Sequence, residues 1–191
     1  MTRNMSMIHQ NVLDPARAAL VVVDIQEGFR HAIPDFTVLA ARALTAIWGF
    51  QSLGLPVLIT EQYPKGLGRT AEEILCALAA DFEVYEKTAF SSCGSSAFIT
   101  RLEDLGVGQI VLCGLETHVC VNQTAHDLLH RGFQVHLLTD CVRSRFERDK
   151  RAGLAKMRSS GVLPSSIELA LFELMGDSKH EKFKEIQSLI K

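Results

Sequence analysis

Val111-Leu112-Cys113-Gly114-Leu115-Glu116-Thr117-His118-Val119-Cys120-Val121 reads as an apolar strand, a glycine turn and the opening of a helix. An apolar run without alternation is the pattern of a strand covered on both faces, as in a parallel sheet. Beyond the turn, Val121, Ala125, Leu128 and Leu129 form one stripe and Gly132 is a stop, which predicts a helix over 117–131. A strand, a tight turn and a helix make the repeating unit of an α/β fold. In open parallel sheets the functional groups gather beyond the carboxyl ends of the strands. Cys120 stands at such an end, where the positive end of a helix dipole favours a thiolate.

The same pattern repeats outward from this stretch. Apolar runs predict strands over 18–23, 56–60, 82–86, 109–113, 134–138 and 162–165. Helical spacing predicts helices over 37–53, 71–80, 97–105, 117–131, 147–160, 168–175 and 182–190, with Gly54, Gly106, Gly132 and Gly161 as stops. Residues 61–70 read as a Gly/Pro-rich loop and 91–96 as a polar turn. Alternation of strands and helices predicts a three-layer α/β architecture: an open, mostly parallel, Rossmann-like sheet of about six strands between two helical layers. No repeat or linker-like shift in composition interrupts it. The chain is expected to form a single domain over 1–191, with 1–15 as an N-terminal extension and 180–191 as a C-terminal helix.

Composition narrows the function classes. Hydrophobic residues at 47% and charged residues at 22% fit a globular protein, and the net charge of -2 gives no reason to expect a nucleic-acid partner. No apolar run is long enough to predict a membrane span, and residues 1–14 lack the apolar core of a secretory signal. Five cysteines, an odd number without a CxxC pair, argue against a disulfide framework or a structural zinc site and for a reducing, cytoplasmic setting. Cys76 and Cys113 read as core residues.

The strand ends supply a chemical set. Asp24 follows the first strand, where desolvation would raise its carboxyl towards the range of a general base. Lys87 follows the third strand, where an ammonium between a carboxylate and a thiolate would keep the nucleophile ionised. With Cys120 these are a proton acceptor, a cation and a nucleophile, suited to attack on an electrophilic carbon. Backbone N–H groups of the 114–117 turn are available to an oxyanion, with Thr117 as the helix N-cap. Gln26, Phe29, Gln62, Tyr63, Phe90 and His118 neighbour these positions and are candidates for lining a substrate pocket; ordinary packing is the alternative for the aromatics, and a solvent-facing position for His118. His126 and His130 share a helix face, but Asp127 stands where a zinc protease has Glu, so a polar helix surface is the better reading. The basic run from Arg143 to Arg151, broken by Glu147 and Asp149, reads as a solvated helix face or a subunit contact.

At this point the residues resemble a known family. Val23-Asp24-Ile25-Gln26, Glu86-Lys87-Thr88-Ala89-Phe90 and Gly114-Leu115-Glu116-Thr117-His118-Val119-Cys120-Val121 resemble the three signature segments of the isochorismatase-like cysteine hydrolases. So does Thr124-Ala125-His126-Asp127-Leu128-Leu129 followed by Gly132-Phe133-Gln134-Val135. The resemblance covers 18–191 and is nearest to the isochorismatase domain-containing subgroup. It implies a catalytic triad of Asp24, Lys87 and Cys120, an oxyanion hole from the Glu116 and Cys120 amides, and a cis peptide between Leu115 and Glu116. It also implies a homo-oligomer, a dimer or larger. Nicotinamidases of the family bind a metal through Asp-x-His after the second strand; this chain has Thr60-Glu61-Gln62-Tyr63 there, so neither metal nor cofactor is expected. Family enzymes acting on isochorismate typically lack the cysteine, which points instead to an amide- or imide-type bond of a small molecule and a thioester intermediate. Two other classes stay open: a non-catalytic oligomeric scaffold or ligand sensor, and a redox protein with Cys93 or Cys141 approaching Cys120.

Overall fold

The computed structural model describes residues 9–78 and 82–191. Among them, β1 (Ala18–Val23), β2 (Val57–Gln62), β3 (Val84–Lys87), β4 (Gln109–Gly114), β5 (Gln134–Val142) and β6 (Leu163–Ser165) form a sheet in the order β3-β2-β1-β4-β5-β6. Every pairing is parallel. The helices are α1 (Phe36–Ser52), α2 (Pro64–Leu67), α3 (Glu72–Leu75), α4 (Ser96–Leu105), α5 (Asn122–His130), α6 (Glu147–Ser159), α7 (Ile167–Met175) and α8 (Phe183–Ile190).

The central strand shows why the sheet is covered on both sides. All six residues of β1 are buried. Ala18, Leu20 and Val22 join one apolar cluster with residues of α1, α3, α7 and α8. Ala19, Val21 and Val23 join a second with residues of α4, α5 and α6. The side-chain period of two thus divides one strand between two helical layers. The tail helix belongs to the first layer: Ile186 of α8 is fully buried, and Phe172 of α7 meets Phe183 edge-on at 6.1 Å. Gly49 lets α7 approach α1, since a Cβ there would lie 2.5 Å from a methyl carbon of Leu171.

The structure corrects several sequence expectations. β2 runs on to Gln62 and β5 to Val142, because polar residues at the strand ends still find ladder partners. β5 passes a register shift opposite Leu112 and Gly114, which hides its continuation from any alternation pattern. The helix expected over 71–80 is limited, within the described residues, to α3; residues 79 and 80 lie outside them, as do 1–8 of the expected N-terminal extension. The helix expected over 117–131 begins as a π-helical turn, Thr117–Val121, before α5. Cys76 is exposed rather than core, whereas Cys113 is buried as expected. Among the described residues no helix is long and apolar enough to cross a membrane.

Strand order makes one point of the sheet special. From β1 the chain builds outward through β2 and β3, then returns to add β4 on the other side of β1. The crevice beyond the carboxyl ends of β1 and β4 is therefore the topological switch point, where open α/β sheets bind ligands.

Candidate active site

Asp24 is the residue directly after β1, and the chain turns there with φ of 53°. Its N–H donates to the Thr60 carbonyl at 3.1 Å, while the Leu115 N–H donates to the Val23 carbonyl at 2.8 Å. These bonds tie the ends of β1, β2 and β4 into one edge. Gly114 makes the approach possible: its φ is +121°, and a Cβ there would run into the Val23 carbonyl.

Lys87 ends β3, opposite Gln62 of β2. Its Nζ donates to Asp24 Oδ2 at 2.6 Å, to Gln62 Oε1 at 2.9 Å and to the Phe90 carbonyl at 2.9 Å, with the Ala89 carbonyl at 3.4 Å. An ammonium has three hydrogens, and the three short contacts use them all. Both side chains of the Asp24–Lys87 pair are fully buried. Removing one member of such a pair typically costs about 3–5 kcal/mol, because the other charge is left without a partner.

Cys120 lies on the π-helical turn after β4, 6% exposed, with Asp24, Lys87 and the Glu116 backbone N–H as the groups that act on its sulfur. Burial pushes the thiol up, the Asp24 charge pushes it further, and Lys87 and the Glu116 N–H oppose them; the outcome is about 12. The resting nucleophile is therefore a neutral thiol. This corrects the expectation that Lys87 and the helix dipole hold a thiolate: the ammonium is committed to Asp24 at 2.6 Å, and burial disfavours a second anion beside the first. Burial also raises the Asp24 carboxyl above its ordinary value, against the opposing pull of Lys87, Cys120 and Thr60. A base strengthened by burial thus stands beside the thiol whose proton it would take.

The turn before Cys120 is braced from β5. The Leu115–Glu116 peptide is cis. Thr117 does not cap the helix: its N–H and hydroxyl both donate to the Arg143 carbonyl, at 3.0 and 2.9 Å, and Glu116 occupies the N-cap position without a side-chain cap. The Glu116 carboxylate is 2.8 Å from Arg145 Nε and accepts the Arg145 N–H at 3.1 Å.

The remaining residues singled out from the sequence fall into two groups. Tyr63 and Phe90 are exposed, and the Phe90 carbonyl holds Lys87. Gln62 is also in direct contact with Lys87. Gln26, by contrast, is fully buried; its amide spans the Gln62 backbone and the Gly68 carbonyl, which leaves nothing for a ligand. Phe29 packs against the α1-side core, and His118 pairs with Ser144 at 3.0 Å. His126 bonds the Asn122 carbonyl and Ser160. Among the described residues no group of three His, Cys, Asp or Glu side chains is arranged to hold a metal. Cys141 lies beside Cys113 in the apolar cluster on the opposite face from that of Cys120.

Two residues of the site were missed in the sequence: Thr60, whose hydroxyl donates to Asp24 Oδ1 at 2.8 Å, and Arg145. Thr60 pairs in register with Val23, so a β1–β2 alignment would have placed it beside Asp24. Arg145 carried no such signal, because its position depends on the unexpected extension of β5.

Known proteins share the sequence and fold of this chain. A family model, the isochorismatase domain, matches residues 18–168. Isochorismatase domain-containing protein 1 of Salmo salar is 42% identical over 179 residues, covering 94% of this chain and 62% of that protein, so the chain spans less than two thirds of that relative. Isochorismatase domain-containing protein 2 of Xenopus laevis is 41% identical over 176 residues, covering 91% of this chain and 83% of that protein. The MAR1 ribonuclease structure from Caenorhabditis elegans superposes with a TM-score of 0.89 at 37% identity, covering 94% and 92% of the two chains. The Escherichia coli YcaC protein, an octameric hydrolase of unknown specificity, shares the fold at a TM-score of 0.87 and 20% identity, covering 96% and 91%. Its octamer shows that proteins of this fold assemble into oligomers. With the domain model spanning most of its length, and relatives about 40% identical, this chain belongs to the isochorismatase domain family.

Proposed function

We propose that this protein is a cysteine hydrolase of a C–N bond in a small amide, imide or related acyl compound. The observation that carries the proposal is a buried Cys120 beside a burial-strengthened Asp24 carboxylate whose countercharge, Lys87, has every hydrogen engaged. Asp24 takes the thiol proton as the sulfur adds to the acyl carbon. The oxyanion is received by the Glu116 and Cys120 backbone amides, and the Glu116 N–H is among the groups that already act on the sulfur in the resting site. As the C–N bond breaks, Asp24 gives its proton to the leaving nitrogen, and a thioester remains on Cys120. Asp24 then takes a proton from water as its oxygen adds to the thioester. The C–S bond breaks, the carboxylic product leaves and the thiol is restored. Lys87 keeps its charge throughout and holds Asp24 in place. Tyr63 and Phe90 offer exposed aromatic surface beside the site, which suits a substrate with a flat or apolar substituent.

The test is a turnover screen of small amides, ureas and imides, with RNA included because of the ribonuclease similarity, comparing wild type with Cys120→Ala. The proposal expects hydrolysis of a small C–N compound that disappears in the variant. Turnover unchanged in Cys120→Ala would sink the mechanism. Cleavage of RNA alone would sink the substrate class, and a folded wild type without any turnover would favour the scaffold or sensor reading.

A further inference from the structure

Asp24 has a second polar neighbour besides Lys87, and hydrogen accounting gives that neighbour a direction. An ionised carboxylate only accepts, so the Thr60 hydroxyl must donate to Asp24 Oδ1 across 2.8 Å. Its single hydrogen is then spent. In the 3.3 Å contact between Thr60 Oγ1 and Ser92 Oγ, Ser92 is therefore the donor. Ser92 has spent its own hydrogen in turn, so Thr124 donates to Ser92 Oγ at 3.2 Å, while Thr124 Oγ1 accepts from the Ser92 N–H at 2.8 Å. Thr60, Ser92 and Thr124 are all fully buried, so bulk water does not compete for these hydroxyls. Every hydrogen in the chain points towards Asp24. Aligned donors polarise one another, which strengthens the last bond, the one to the carboxylate.

We propose that Thr60 is a positioning residue for Asp24, the last link of a one-way hydroxyl chain Thr124–Ser92–Thr60 that fixes Oδ1 while Lys87 fixes Oδ2. The inference rests on the reading of Asp24 as the base for Cys120. The side chains of three separate elements meet here: Thr60 from β2, Ser92 from the Ser92–Gly94 turn and Thr124 from α5. The chain ends at the Ser92 amide inside the protein, so it is a brace and not a route for protons to solvent. The ionisable groups acting on Asp24 are Lys87 from β3 and Cys120 from the turn after β4. The buried carboxylates Glu61 and Glu116 are engaged elsewhere, Glu61 by Thr70 and Glu116 by Arg145. Thr60 donates only well to the ionised carboxylate. Removing its hydroxyl therefore favours the protonated form, and the base works only at higher pH.

The test follows iodoacetamide alkylation of Cys120 against pH in the intact protein, with the modified peptide quantified by mass spectrometry. It needs no substrate. In Thr60→Val the acid limb of the profile should move to higher pH by about one to two units, the worth of a hydrogen bond to a charged group. Thr60→Ser should restore the wild-type limb, and Ser92→Ala should move it part of the way in the same direction. A Thr60→Val limb that coincides with wild type in a folded protein overturns the proposal. If Thr60→Val does not fold, an unmoved limb in Ser92→Ala overturns it instead. Asp24→Asn separates the two levels of the argument. If its profile matches wild type, the base assignment itself fails; if it differs while Thr60→Val matches wild type, only the hydroxyl chain fails.

Discussion

Replacing Asp24 with Asn removes the base but leaves a cation beside the sulfur, which gives an outcome specific to this site. In the wild type the Cys120 thiol stands at about 12, raised by burial and by the Asp24 charge and lowered by Lys87. In the variant the raising charge is gone, and the Lys87 ammonium, 2.6 Å from Asp24 Oδ2 in the wild type, loses its countercharge. A unit charge about 4 Å from a titrating atom is worth about 4 kcal/mol at an effective dielectric near 20. That corresponds to about three pKa units. The thiol of Asp24→Asn should therefore titrate near or below its ordinary value, with far more thiolate at neutral pH, while turnover falls to background. The two readouts move in opposite directions: the nucleophile becomes more ionised and the enzyme less active. Ultraviolet absorbance of the thiolate against pH, corrected with the Cys120→Ala variant, measures the first, and the amide assay measures the second. Stability should fall by about 3–5 kcal/mol for the uncompensated ammonium, so the titration belongs at low temperature with folding checked by circular dichroism. A thiol that still titrates near 12 in the folded variant, or turnover that survives, would refute the reasoning.

Three further predictions concern the framework. His136 is 2% exposed and burial pulls it down to about 4 from 6.5, so below 6.5 the unfolded chain binds a proton that the folded protein refuses. Stability attributable to it should thus be complete above 6.5 and lost as pH falls towards 4, by about 3 kcal/mol in all, and His136→Gln should flatten that slope in urea titrations. Gly114→Ala forces a Cβ into the Val23 carbonyl at a positive φ, and should cost more than about 2 kcal/mol while slowing Cys120 alkylation; denaturation matching wild type would contradict the β1–β4 geometry. Ile186→Ala should cost about 2–4 kcal/mol if α8 docks on its own body, and an unchanged melting curve would show that the tail helix is not part of the core.

Much of this fold can be read from unbroken apolar runs, because a strand buried on both faces carries its own signature. β1 is the clearest case, with identical expected and observed bounds. Legibility failed where tertiary pairing extends an element through polar residues, as at Glu61 and Gln62 of β2 and at Thr139 and Asp140 of β5. The positions of Asp24, Lys87 and Cys120 followed from strand ends alone, since the carboxyl edge of a parallel sheet gathers whatever side chains stand there. The charge state of Cys120 did not follow. A helix start argues for a thiolate, but burial and the neighbouring Asp24 charge outweigh it, and neither is visible in local sequence. Thr117 looked like a cap because of its type, yet Arg143, brought alongside by β5, takes both of its donors. Thr60, Ser92 and Thr124 are ordinary hydroxyl residues in sequence, and only convergence of three segments aligns them on Asp24.

The central claim is that Cys120 becomes acylated with Asp24 as its base. Acid-quenched mass spectrometry during turnover of a small acyl donor such as p-nitrophenyl acetate tests it directly. The account predicts an acyl adduct on the peptide containing Cys120, released by hydroxylamine, lost in Cys120→Ala and formed far more slowly at acidic than at neutral pH. Product release by both proteins at equal rates, with no adduct on that peptide, would contradict it.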